Sequence, residues 1–168
     1  MRDDDVYRAV KALLVEYIPE LTADRIVRGW SNRVPAPLGG FCLMRILAHE
    51  RRATNFAEYD PAGESLTLAE SALVTMQLDF YGTAPASMAD VWAHDFAVLW
   101  RDAVACDFLE PAGIAPTVAG NPRHLPLVGG DEQFLDRWMV EATASIFDEL
   151  KLRQAFFDTV DITLYPLL

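Results

Sequence analysis

Residues Leu73–Tyr81 read LVTMQLDFY, and Gly82 follows them. Val74, Met76, Leu78 and Phe80 share one parity, while Thr75, Gln77 and Asp79 share the other. Strict alternation over this length is the signature of a strand with one buried face. Gly82 ends that strand, because glycine reaches backbone angles that other residues avoid. Ala84-Pro85 turns the chain, and Ser87 with Asp90 three residues on reads as a helix N-cap. From Ala86 to Phe108, Met88, Val91, Trp92, Phe96, Leu99, Trp100 and Ala103 recur at helical spacing. They predict one helix with a wide apolar stripe. A strand therefore feeds a helix whose bulky face covers a sheet, and no catalytic group stands out on either.

Upstream, a first helix is expected from about Asp4 to Ile18, with Val6, Val10, Leu13, Leu14, Tyr17 and Ile18 as its stripe. Asp3, Asp4 and Asp5 lie where the helix dipole favours negative charge, and Pro19 stops it. Thr22 to Arg28 reads equally as a turn of helix or a strand. The Gly- and Pro-rich stretch GWSNRVPAPLGG is an irregular connection. Phe41 to Glu50 is almost continuously apolar and predicts a mostly buried strand, with Thr54 to Tyr59 as its hairpin partner. Asp60-Pro61-Ala62-Gly63 is a turn. The strand at Leu73 starts as early as Leu66 if Leu68 and Ala72 belong to it, with Glu70 the exception on that face. So long a strand projects beyond the domain body or bends at a bulge.

Glu110 to Glu132 reads as a long irregular loop that carries apolar residues, packed on its own domain or on a partner. Trp138 to Ile146 and Val160 to Leu164 alternate as two further strands. Asp148 to Gln154 either connects them or extends them. The expected fold class is α+β in a single domain over residues 1–168: a mainly antiparallel sheet of about four to five strands, with two main helices packed on one face.

The chain has 168 residues, 52% of them hydrophobic, and a formal net charge of −11. That composition buries a real core, and its acidity argues against a nucleic-acid grip and an anionic membrane surface. No apolar run reaches membrane-spanning length. The acidic N-terminus lacks the pattern of a secretion signal. Cys42 and Cys106 sit in apolar segments and read as a buried pair of reduced thiols.

His49, His94 and His124 show no metal-ligand spacing. His94 lies four residues after Asp90, a spacing that more often makes a surface hydrogen bond than an acid–base dyad. His124, beside Arg123, is expected exposed and available to a partner. No nucleophile elbow, phosphate loop or dinucleotide fingerprint occurs. Gly129-Gly130 precedes Asp131-Glu132, an acidic pair that would repel phosphate. Trp92, Trp100 and Trp138 fit a core. Trp30, before a polar loop, fits an interface. No catalytic, cofactor-binding or metal-binding residue is assigned.

Three segments taken together carry a family resemblance. They are WSNRVPAPLGGF at 30–41, MQLDFYGTAPASMAD at 76–90 and HLPLVGGDEQFLDRWMVEATAS at 124–145. In this order they resemble the phage neck and tail-terminator proteins, which join head to tail in tailed phages and prophages. The resemblance implies a non-enzymatic, cofactor-free virion subunit that forms a ring, commonly of six copies. Such a ring caps the tail tube and faces the head-tail connector and neck proteins. DNA passes through it without specific binding, and assembly takes place in the bacterial host cytoplasm. By position in the motifs, the contact segments are Arg33 to Leu38 and Asn121 to Leu127. The interface residues on this reading are Trp30, Arg33, Pro35, Pro37, Asn121, Arg123 and His124. The alternatives are another virion part, such as a head-completion or tail-tube component, and a ligand-binding or enzymatic α+β domain with the long loop as a lid.

Overall fold

A computed structural model describes residues 2–29, 37–83, 87–128 and 134–155. Trp30, Arg33, Pro35, the Gly129-Gly130 pair, Asp131-Glu132 and the strand expected near Val160 lie outside these described residues. In chain order come α1 (Asp3–Tyr17), a 3-10 turn (Ala23–Arg25), β1 (Ile26–Arg28), β2 (Phe41–Arg51), β3 (Phe56–Asp60) and β4 (Ser65–Gly82). Then follow α2 (Ala89–Trp100), α3 (Ala103–Leu109), a 3-10 turn (Glu110–Ala112), β5 (Ile114–Ala119), β6 (Arg123–His124), β7 (Leu127–Val128) and β8 (Phe134–Arg153). The sheet runs β1-β2-β4-β8-β5, with β3 also on β4 and with β6 and β7 also on β8. Only the β1–β2 pairing is parallel among the described ladders. The class is α+β as expected, with three helices instead of two and more strands than four or five.

The alternation at Leu73–Tyr81 does what period two requires. Ala72, Val74, Met76, Leu78 and Phe80 are buried in one core with Val140, Ala142, Ala144 and Ile146 of β8 and the inner faces of the helices. The helix after β4 differs from its expected form in two ways. Its buried stripe is Ala89, Trp92, Ala93, Phe96, Ala97 and Trp100, while Met88 and Val91 face solvent. Ala89, Ala93 and Ala97 of α2 are buried in the same core as Ala142 and Ala144 of β8. The single expected helix is also broken at Arg101-Asp102. Asp102 caps α3 by accepting a hydrogen bond from the Val104 N–H at 3.0 Å. Arg101 turns away and donates to the carbonyls of Ala119 (2.7 Å) and Gly120 (3.0 Å) and to Asn121 Oδ1 (3.1 Å). Replacing Arg101 with Ala strands those acceptors, so we expect a loss of about 1–2 kcal/mol. Urea denaturation measures it, and faster amide exchange at Gly120 would locate it.

The segment Glu110 to Glu132 is not one irregular loop. Its described part supplies β5, β6 and β7, each paired with β8. Pro116 is compatible with β5 because that strand is the edge of the main sheet path. The register shifts between Pro116 and Val118. The Thr117 hydroxyl then donates to the Thr143 carbonyl at 2.9 Å, which also accepts from Trp100 Nε1 at 3.1 Å. Thr54 to Tyr59 is likewise corrected: β3 pairs with β4 instead of β2. The turn between β3 and β4 is closed by Asp60, which accepts from the Gly63 N–H at 3.1 Å.

Helix α1 docks on β2 through a defect in that strand. The β2–β4 register slips between Ile46 and Ala48, which leaves the Ile46 N–H to donate to the Tyr7 hydroxyl at 2.9 Å. The slip reverses the parity of β2, so His49 pairs with Val74 and meets Asp3 of α1 at 2.9 Å. Arg28 pairs with Asp4 and lies 4.3 Å over the Tyr7 ring. Thr22 to Arg28 resolves into both alternatives in turn, a 3-10 turn and then β1.

Strands β4 and β8 pair without interruption from Gly82↔Asp136 to Ser65↔Arg153. Asp148 to Gln154 is therefore mostly strand. With β3, the far ends of these strands form a three-stranded wing that projects past the helices.

Candidate functional site

One face of the sheet carries the helices. The other face carries polar and aromatic side chains, several of them buried, and its registers bring together groups far apart in sequence. Phe41, Tyr81 and Arg137 form one row across β2, β4 and β8. Leu43, Asp79 and Met139 form the next, and Arg45, Gln77 and Glu141 the third. Asp79 is fully buried, the one such charged residue among those described. Its Oδ1 accepts from Arg137 Nε and Nη2 at 3.0 and 2.8 Å. Its Oδ2 accepts from Gln77 Nε2 at 2.8 Å and pairs with Arg45 Nη2 at 3.2 Å. Three hydrogen bonds and an ion pair satisfy a carboxylate that would otherwise be costly to bury. Phe41 and Tyr81 stack at 4.6 Å beside it. Burial pushes the Tyr81 phenol up, and the Asp79 charge adds to this. The Cys42 thiol is pushed well up by complete burial and then by Asp79, so it is a poor nucleophile.

A second cluster sits where β6 crosses β8. His124 stacks on Trp138 at 4.9 Å, and His94 of α2 approaches the same indole at 5.6 Å. His124 Nε2 bonds Asp136 Oδ1 at 2.9 Å, and the other oxygen of Asp136 accepts from the Ser87 hydroxyl. The order is serine, carboxylate, imidazole. An activated serine needs the imidazole on its own hydroxyl, so this chain of contacts clamps the start of α2 to β8 and activates no nucleophile. Ser87 also accepts from the Ala89 N–H at 3.3 Å, although the capping position itself is Met88.

The expected interface residues fall into place as follows. Asn121 holds Arg101. Arg123 lies 3.9 Å from Glu141 and stays 63% exposed. His124 is half exposed. Pro37 adjoins Leu38, which is 94% exposed. Structure thus brings Asn121, Arg123 and His124 to one edge and gives each a partner within the chain. His94 does not pair with the Asp90 carboxylate; its Nδ1 bonds the Asp90 carbonyl at 2.7 Å. The thiols are both free, but only Cys42 is buried and Cys106 is exposed, which corrects the expectation for Cys106. The helix carrying Cys106 is a short separate one, whose inner face is taken by Ala105 and Leu109.

Sequence reasoning passed over the Asp79 cluster. Its signal is an acid on the polar parity of a strand, which becomes legible only when register sets Arg137 and Arg45 beside it. Among the described residues, no group of three His, Cys, Asp or Glu converges as metal ligands. Among the same residues, no helix is long and apolar enough to cross a membrane.

A family model for phage neck terminator proteins matches residues 4–165. This chain belongs to that family. No curated protein matches it. Its fold is similar to the sheath/tube terminator of an extracellular contractile injection system in the extended state, with a TM-score of 0.56 at 11% identity. That superposition covers 100% of this chain and 65% of the other, so the chain spans less than two thirds of that structure's length. For a neck terminator protein, the relevant parts are surfaces. The β6 edge and the projecting wing are the ones the fold provides.

Proposed function

We propose that this chain is a ring subunit, with six copies closing the ring, that ends the tail tube and presents its other face to the head-side connector of the virion. The observation that carries this reading is the family match over residues 4–165. The net charge of −11 supports a DNA conduit, since walls that do not hold phosphate let it pass. The ring assembles in the host cytoplasm, and it has no catalytic step and no cofactor.

Light scattering behind a sizing column, over a concentration series and with purified tail tubes added, tests the reading. A closed ring, alone or on tube ends, supports it. Open-ended polymer would make the chain a tube component, and a mass that never rises, even with tubes, would sink the ring.

On the same reading, Arg123 belongs to a contact edge. We expect Arg123→Glu to impair ring formation or docking while the fold survives. The exposed pair with Glu141 is worth no more than about 1 kcal/mol, so thermal unfolding should move little. Unchanged assembly of the variant would remove the β6 edge from the interface.

A further inference from the structure

Strand β8 has one edge that is closed along part of its length and open along the rest. On the side away from β4, the strands β7, β6 and β5 pair with it in turn from Phe134 to Ile146. No described strand continues that side from Phe147 to Arg153, although β4 pairs with all seven of these residues on the other. A strand with a neighbour on one side turns alternate N–H and C=O groups outward, where a further strand can bond them. The other edges are guarded. β5 contains Pro116, and Arg101 donates to its Ala119 carbonyl. β2 gives its Ile46 N–H to Tyr7 of α1. β3 is five residues long and carries Glu58 and Asp60.

Along the open edge, Leu150 and Leu152 lie on one face of β8, and Phe147, Glu149 and Lys151 on the other. Phe147 is 64% exposed and Leu150 57% exposed. Lys151 has no ion pair among the described residues. The strand expected at Val160 to Leu164, outside the described residues, carries a matching pattern. Set antiparallel with Val160 beside Leu152, it puts Asp161 beside Lys151, Ile162 beside Leu150 and Tyr165 beside Phe147. Leu164 beside Asp148 is the one mismatch. Pro166, with no N–H to donate, then falls beside Ile146, where Ile114 of β5 already holds the edge. A shift of two residues either sets Asp161 against Glu149 or brings Pro166 into the ladder. Residues 166–168 read PLL and lead towards a depression of about 650 Å³ lined by Ala9, Ala12, Phe108, Leu109, Pro111 and Phe147. The edge of β3 would meet Asp161 with like charge.

We propose that residues 158–165 of one copy add as a strand to the open β8 edge of a second copy, with Asp161 facing Lys151. Within one chain the same register would close through Ala155, Phe156 and Phe157, none of which favours the special backbone angles of a three-residue hairpin loop. The β3–β4 turn at the same tip shows what such a reversal takes: Asp60-Pro61-Ala62-Gly63, with Asp60 accepting from the Gly63 N–H. Extended, residues 155–159 span about 17 Å, more than the width of a three-stranded wing at about 14 Å. The donated segment and the accepting edge share no residue, so the exchange is head-to-tail, and such a contact makes a ring when its rotation closes. The assignment rests on the ring reading above and supplies a contact for it.

In a Cys106→Ser background, a Lys151→Cys chain is mixed with a differently tagged Asp161→Cys chain and oxidised at high concentration or on tail tubes. The expected product is a disulfide dimer containing one of each tag, because directly opposite residues of an antiparallel pair bring their Cβ atoms within about 5.5 Å. Lys151→Asp should lower the association constant about tenfold by setting two carboxylates opposite each other, and adding Asp161→Lys should restore most of it. Thermal unfolding of Lys151→Asp should stay near that of the parent, since Lys151 is exposed in the single chain. A discrete ring that gives no mixed disulfide and ignores Lys151→Asp would overturn the strand exchange and leave the ring reading standing. A chain carrying both cysteines that yields only a monomer with an internal disulfide would overturn it in favour of a hairpin within one chain. A Lys151→Cys homodimer in place of the mixed product would overturn it in favour of two β8 edges paired together. The absence of any oligomer, trapped or free, would overturn both the exchange and the ring.

Discussion

Replacing Asp79 with Ala should cost about 3 kcal/mol of folding stability, read as a lower urea midpoint at unchanged slope. The carboxylate has no exposure to water, accepts from Arg137 and Gln77 and is ion-paired with Arg45. Removing it leaves two guanidinium groups, each less than a third exposed, side by side without their common counter-charge. Partial exposure of the arginines keeps the cost at the lower end of the range for broken buried pairs. Two controls separate this account from simple loss of packing. Asp79→Asn keeps the shape and one acceptor, so it should lose less. The Asp79→Ala, Arg137→Ala double variant should be less damaged than the sum of the singles, by about 1 kcal/mol or more. High salt should not erase the loss, because buried pairs are screened little. Additive singles, or a loss that fades with salt, would reduce the cluster to surface decoration.

Trp100→Ala is expected to be at least as severe, about 3–5 kcal/mol. Trp100 is 1% exposed, packs on Phe96 with ring centroids 5.3 Å apart, and donates to the Thr143 carbonyl. It is the last residue of α2, directly before the break that sends Arg101 to the end of β5. Truncation therefore opens a cavity at the point where α2, β5 and β8 meet. For a chain of this size the melting temperature should fall by roughly 10 °C. Trp100→Phe, which keeps most of the ring but not the N–H, should recover the greater part. A fall of only a degree or two in Trp100→Ala would mean that the core repacks freely around α2.

Much of this fold was legible in the chain. The alternation in β4, the stop at Pro19, the Asp60–Gly63 turn and the extension of β4 back towards Leu66 are local effects of backbone sterics and polarity, and each is visible residue by residue. Strand pairing was not. Thr54 to Tyr59 has no property that prefers β4 over β2, since the choice depends on the turn at 61–64 and on which edge stays free. The strands β5, β6 and β7 were missed for a similar reason. They are short, contain or adjoin proline, and are ordered by the long neighbour β8 instead of by their own propensity.

The helix after β4 shows the same division. Its existence followed from apolar spacing. Its facing did not, because alanine counts little in a hydrophobic stripe and yet Ala89, Ala93 and Ala97 are buried on α2. Of the candidate contact residues, sequence placed Asn121, Arg123 and His124 in one segment, and the structure gave them three different neighbours: Arg101, Glu141, and Trp138 with Asp136. Family membership came from the joint order of three motifs, a property of the linear chain. Sequence by itself thus determined the class of the fold, its main buried strand and the family. Tertiary structure alone decided the Asp79 cluster and the uncovered leucine face of the wing. Both depend on register, which sets residues tens of positions apart within a few ångströms and leaves no mark on either neighbour alone.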